Sequence, residues 1–223
     1  MVLKNIWINM NPIAKIRRWH MRKRLKCSAI TFLCPDCIGG LLFHDLGLKF
    51  MSPTVNLMMI QTDFFKFVMN LDYYLSCELE FYKHDLYDFP CAHLGDINLH
   101  FTHYRTCEEA EYKWEQRKRR IQKNNIYIFL EERDGLKKEQ IQALRSLKVK
   151  GIVVFTAKEY LDIPYTVYIQ KYKNDGKIGN ILKRSFLTDS REYERYFDFI
   201  KWFNEANGDD YDVTPYIRHR KLK

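Results

Sequence analysis

The chain has 223 residues, 46% of them hydrophobic and 15% aromatic, which is material for one substantial core and excludes a disordered chain. Its net charge of +9 sits at the ends: residues 1–26 carry eight basic residues and no acid, Arg218 to Lys223 carry four more, and the stretch between has 25 basic against 28 acidic residues. A mildly acidic body with basic ends argues against a dedicated nucleic-acid reader, which spreads basic residues across the face of its fold.

No run approaches the ~18 uncharged apolar residues of a spanning helix. The basic start lacks the ~7–15-residue apolar stretch of a secretory signal, so a cytoplasmic chain with six reduced cysteines is expected. Within that start, Asn11 is placed to cap a helix with Pro12 in its first turn and Ile13, Ile16 and Trp19 among the cations. Two readings stand: a peripheral helix on the anionic inner face of the plasma membrane, or an arm solvated or docked on its own domain. The segment is expected to pack weakly, so that its removal leaves a folded domain.

From Cys27 the pattern alternates. Ser28 to Leu33 reads as a buried strand, Cys34 to Cys37 as a turn, and Ile38 to Leu46 as a helix closed by Gly47. Thr54 to Ile60 is ambiguous between strand and loop. Thr62 is placed to cap a helix with a wide face of Phe64, Phe67, Val68 and Leu71. Leu79 to Tyr82 and Ile97 to Tyr104 read as strands, and Thr106 with Glu109 forms a capping box for a charged helix to about Ile121. Asn125 to Leu130 and Gly151 to Phe155 are further strands around a helix of Lys137 to Leu147. Val167 to Gln170 reads as an edge strand and Asp189 to Asn204 as a last amphipathic helix. The pattern predicts a three-layer, Rossmann-like α/β fold with an open, mostly parallel sheet holding the strands near Ala29, Asn98, Ile126 and Val153. The chain divides into a basic segment (1–26), one α/β domain (27–207) and a basic tail (208–223).

In such sheets ligands bind beyond the carboxyl ends of the strands. Cys37 sits at a strand-to-helix junction, where a helix N-terminus favours thiolate and Gly39 and Gly40 let a ligand approach the backbone. Asp36 opposes the thiolate, and a small buried thiol is the plain alternative. Cys34 and Cys37 also have the spacing of a redox dithiol. The other four cysteines form no second close pair, so no metal site is expected. His100 and His103 are candidate bases, expected on opposite faces of a strand unless it bends. Asp134 follows a strand and offers a ligand contact or an ordinary turn. Arg117 reads as the solvated face of a helix, with phosphate or acidic-sugar binding as the alternative.

Cys37-Ile38-Gly39-Gly40, His44-Asp45-Leu46-Gly47, Leu94-Gly95-Asp96-Ile97, His100-Phe101 with His103-Tyr104, Arg133-Asp134-Gly135 and Phe199 to Asn204 stand in the order of a bacterial family. Over residues 29–204 the chain resembles that family, whose members are described as exopolysaccharide biosynthesis proteins of unknown function. The resemblance implies work on capsule, exopolysaccharide or O-antigen by acyl or glycosyl transfer to a sugar hydroxyl, from an activated sugar or acyl donor to a glycan acceptor. It brings in Asp96, Arg117 and Asp134 as substrate contacts and names no cofactor. The family pattern carries Asn at the position of Asp36. A non-catalytic glycan-binding or accessory subunit and a thiol oxidoreductase are the competing readings.

Overall fold

A computed structural model describes residues 11–218 as four parallel strands flanked by helices, a Rossmann-like α/β arrangement. In chain order the elements are α1 (Pro12–Arg24), β1 (Thr31–Leu33), α2 (Ile38–Leu46), α3 (Gln61–Met69), α4 (Leu71–Ser76), β2 (Glu80–Tyr82), β3 (Cys91–Leu94) and β4 (Ile97–His100). They continue with α5 (Cys107–Lys118), β5 (Ile126–Glu131), α6 (Lys138–Ala143), β6 (Gly151–Thr156), β7 (Thr166–Tyr168) and α7 (Phe199–Glu205). The basic residues Lys4, Arg220, Lys221 and Lys223 lie outside the described residues.

The main sheet runs β1-β5-β6-β7, every pair parallel. β5 and β6 are buried along their whole length, the pattern of strands covered on both faces. Aromatic packing covers one face: Phe203 of α7 lies 5.4 Å from Phe32 and 5.0 Å from Tyr127, and Trp202 lies 4.9 Å from Tyr127, all edge to face. Each such pair adds ~0.5–1.5 kcal/mol to the area it buries.

The strand around Asn98 is not in this sheet. Gly95 at φ +60° and Asp96 make a two-residue turn, so β3 folds back on β4 and β2 joins them in a separate antiparallel sheet. Parallel pairing needs a long crossover, and the two residues between Leu94 and Ile97 permit only a hairpin. Helix α3 packs on both β4 and β5 and joins the two sheets.

Two helices also end differently. α5 starts at the predicted cap, with Thr106 Oγ1 accepting from the Glu109 amide at 3.2 Å, but stops at Lys118. The expected helix from Asp189 to Asn204 is a 3₁₀ turn at Glu192–Arg195 and then α7. Asp198 breaks the run by capping α7, its Oδ1 accepting from the Lys201 amide at 3.1 Å.

α1 does not pack weakly. Asn11 Oδ1 caps it by accepting from the amides of Ile13 and Ala14, and Ala14 and Met21 are buried. Arg17 bridges Asp45 and Glu194, Arg18 reaches Asp189, and Arg24 reaches Asp198. The charges expected to repel are neutralised by carboxylates from two distant stretches of sequence, at Asp45 and at 189–198. Removing residues 1–26 would uncover the surface that Ala14 and Met21 bury, take the arginine partners from Asp45 and Glu194, and leave Asp189 with Arg184 alone. The chain 27–223 is therefore expected to melt far below the full chain or to show no cooperative transition; an unchanged melting temperature would show that the arginine pairs contribute nothing.

Candidate functional site

β1 ends at Leu33, and the turn through Asp36 delivers Cys37 to the N-cap of α2 at the carboxyl end of the parallel sheet. β4 ends at His100, whose backbone pairs with Met58, and the next four residues form a turn closed by the Tyr104 amide donating to the Phe101 carbonyl. That turn carries His103 to the thiol: Cys37 Sγ and His103 Nε2 are 3.2 Å apart. Cys37 is half-buried and His103 exposed, so the pair is open on one side. A thiol and an imidazole at this distance have the geometry that a nucleophile and its base require.

His100 does not join them. Its ring lies 5.7 Å from Tyr87 and 6.1 Å from His84, on the side of the second sheet, and burial lowers its pKa. Burial first, and the Asp36 carboxylate second, push the Cys37 thiol upward. Burial and the neighbouring carboxylate thus favour the neutral thiol over the thiolate, with the His103 ring nitrogen within hydrogen-bond distance of the sulfur.

Beneath Cys37 lies a group that the sequence reading missed. Glu131, at the end of β5, is fully buried; its Oε2 accepts from Arg133 at 2.9 Å and from Gln61 at 3.4 Å. Asp36 is also buried, accepting from the Ile38 amide at 2.9 Å and facing the same Arg133 guanidinium at 3.5 Å. Both carboxyls are pushed up, chiefly by burial, and Glu131 the more strongly. One arginine faces two buried carboxyls, and burial together with their mutual repulsion favours the protonated form, most strongly at Glu131. A raised folded pKa means stability that is complete below the unfolded value of ~4.3 and is lost as pH rises through the folded value. Glu131→Gln has no such loss. Its melting temperature is expected to gain on the wild type from pH 4.5 to pH 8; a difference that stays constant would show Glu131 to be ionised throughout.

The other candidates are engaged with neighbouring groups of the protein. A Cβ on Gly39 would come within 2.6 Å of Cys34 Sγ and one on Gly40 within 2.8 Å of Asn56 Oδ1, so these glycines admit neighbouring side chains. The first α2 amides are occupied too, Ile38 by Asp36 and Gly39 by Cys34 Sγ. Cys34 is sealed in the core with its pKa driven well up by burial, so the dithiol lacks an accessible second thiol. Asp96 sits at the hairpin turn, paired with Lys66 and bonded to Tyr74, at the opposite end of β4 from the His103 turn. Asp134, at φ +52°, lies 3.7 Å from Arg133 and so borders the Asp36–Glu131 pair. Arg117 is buried rather than solvated: it donates to the Val55 carbonyl at 2.7 Å and to the Tyr104 hydroxyl, bracing the turn that carries His103.

Residues 9–204 match the model of a family described as a domain of unknown function (DUF1919). The chain is also 32% identical over 208 residues to an uncharacterized protein of Haemophilus influenzae (strain ATCC 51907 / DSM 11121 / KW20 / Rd), covering 88% of this chain and all of that protein. The match takes in α1, the Cys37 turn, the His103 turn and α7.

Proposed function

The chain belongs to the DUF1919 family, and from that premise we propose that it is a transferase of surface-polysaccharide assembly in which Cys37 carries the transferred group. The observation that supports this is the 3.2 Å contact between Cys37 Sγ and His103 Nε2 at the carboxyl end of a parallel sheet. Acyl transfer suits it best. His103 takes the thiol proton as sulfur attacks the carbonyl of an activated acyl donor; the donor's leaving group departs with that proton and a thioester remains on Cys37. A sugar hydroxyl then attacks the thioester, its proton passing to His103 and on to the sulfur as the thiol reforms. Incubation with acetyl-coenzyme A tests the first half. Intact-mass measurement should show one acetyl group on the wild type and none on Cys37→Ala; acetylation of both, or of neither with acetyl and longer acyl donors, would exclude the thioester route.

A non-catalytic reading has its own observation. Tyr82, His84, Tyr87 and Phe89 line a cleft of about 490 Å³ beside His100, with Asp85 and Asp88 at its edge, a surface suited to stacking on sugar rings. A glycan-binding accessory subunit would use it to bind oligosaccharide without consuming a donor.

Peripheral membrane contact belongs to the same reading. Among the described residues no helix is long and apolar enough to cross a membrane. α1 leaves Ile13, Ile16 and Trp19 about half exposed, with the Lys23 ammonium 3.9 Å over the Trp19 ring, an arrangement fitted to the interface of an anionic leaflet.

A further inference from the structure

A second site lies at the other end of α2 from Cys37. There α1 meets the segment 185–195 and Arg218 of the tail around a cleft of about 540 Å³, and five guanidinium groups line it: Arg17, Arg24, Arg191, Arg195 and Arg218. Nine helical residues separate the two ends of α2, ~13 Å along its axis, so this cleft is distinct from the thiol site.

The carboxylates within reach do not balance it. Arg17 takes Asp45 and Glu194, while Arg24 and Arg218 share the single carboxylate of Asp198. Arg191 makes one long side-chain bond, to the Leu182 carbonyl at 3.4 Å, and the Arg195 guanidinium has no hydrogen bond or ion pair among the described residues. Five guanidinium groups thus face three carboxylates, an excess of two positive charges on a concave surface.

Hydroxyls stand on the same wall. Thr188 and Ser190 bond each other at 2.8 Å, which uses one hydroxyl hydrogen and leaves the other for a ligand. The wall is itself fixed: Arg184 and Arg191 pair across a tight turn, and the buried Asp189 at its tip, φ +60°, holds Arg18 and Arg184. Guanidinium forks and hydroxyls converging on an excess of two charges match a dianionic phosphoryl group.

We propose that this cleft is a binding site for a phosphorylated ligand, recognised through its phosphate or pyrophosphate by Arg191 and Arg195 with Arg17, Arg24 and Arg218 behind them. The site does not rest on the transferase reading. Its phosphate belongs either to a soluble ester or to a lipid headgroup, since α1, which supplies Arg17 and Arg24, also carries Ile13 and Ile16 about half exposed.

The test uses the full chain and two probes: inorganic pyrophosphate by isothermal titration at low salt, and sedimentation with phosphatidylcholine vesicles with or without phosphatidic acid. Arg191→Gln with Arg195→Gln removes the two least engaged guanidinium groups, and Lys49→Gln with Lys148→Gln makes the same charge change at exposed positions elsewhere. Pyrophosphate should bind the wild type and the lysine control alike and bind the arginine variant about ten-fold or more weakly. Binding in solution with no preference for phosphatidate vesicles assigns a soluble ester. Sedimentation with phosphatidate vesicles alone, lost in the arginine variant, assigns a headgroup. Failure of the wild type to bind either probe, or equal weakening by both double variants, overturns the proposal. Cys37→Ala should bind as the wild type does, so loss of transfer and loss of phosphate binding are read separately.

Discussion

Cys37→Ala is expected to fold normally and to abolish polymer production when it replaces the native copy in its host, whereas Cys77→Ala and Cys107→Ala do neither. Removing a half-buried thiol costs about 1 kcal/mol, which lowers the melting temperature of a chain this size by ~2–4 °C. His103→Ala should keep the fold and lose ~10²–10⁴-fold in transfer rate, the usual contribution of a positioned base. The thiol itself gives a readout independent of substrate. Burial and Asp36 raise the pKa of Cys37, so its alkylation by iodoacetamide should reach half its limiting rate above the ordinary thiol value of ~8.5. Asp36→Asn removes the carboxylate that opposes the thiolate while keeping an acceptor for the Ile38 amide, and should shift that profile to lower pH. Normal polymer from Cys37→Ala at normal protein abundance would end the catalytic reading. A profile that Asp36→Asn leaves in place would show that the carboxylate does not govern the sulfur.

The parts of this site legible in the sequence are those decided within a few residues. α2 has the bounds that its pattern predicts, because Gly47 at φ +69° stops it locally. Cys37 was identifiable for the same reason: an apolar run, a Pro-containing turn and a helix start are adjacent in the chain. His103 was named as a base, but its meeting with the thiol depends on β4 ending at His100, and that end is set by the pairing of His100 with Met58, forty-two positions away. Glu131 carried no signal, since its partners Asp36, Gln61 and Arg133 come from three separate elements and loops. Arg117 misled for a related reason. On a helix rich in Lys, Arg and Glu it reads as solvated, and only the arrival of Tyr104 and Val55 over it makes it a buried brace. The arginines of α1 read as mutually repulsive because Asp45, Asp189, Glu194 and Asp198 are far away in sequence and adjacent only after folding.

Gly151→Ala tests the packing that holds the sheet beneath both sites. Gly151 opens β6 opposite Tyr127, and a Cβ there would lie 2.6 to 2.8 Å from three atoms of the Trp202 indole. The indole has no room to retreat: it is buried, edge to face with Tyr127 at 4.9 Å and with Phe197 at 5.5 Å, and close to Phe203 on its own helix. Over-packing a filled core costs ~1–3 kcal/mol, and a rigid aromatic neighbour places this substitution at the top of that range or above it. At ~2–4 °C per kcal/mol the melting temperature should fall by about 6–12 °C. Trp202→Phe alone is destabilising through the volume that it removes, yet in the double variant the smaller ring makes room for the new methyl. The two changes together should therefore cost less than their sum, by an interaction of ~1 kcal/mol or more in a double-mutant cycle. Strict additivity would mean that the strand and the indole do not touch as the structure has them. Gly39→Ala meets the Cys34 sulfur at a similar distance in the turn below Cys37. There Cys34→Ala plays the relieving part, and the rescued double variant should regain the alkylation profile of Cys37 together with its stability.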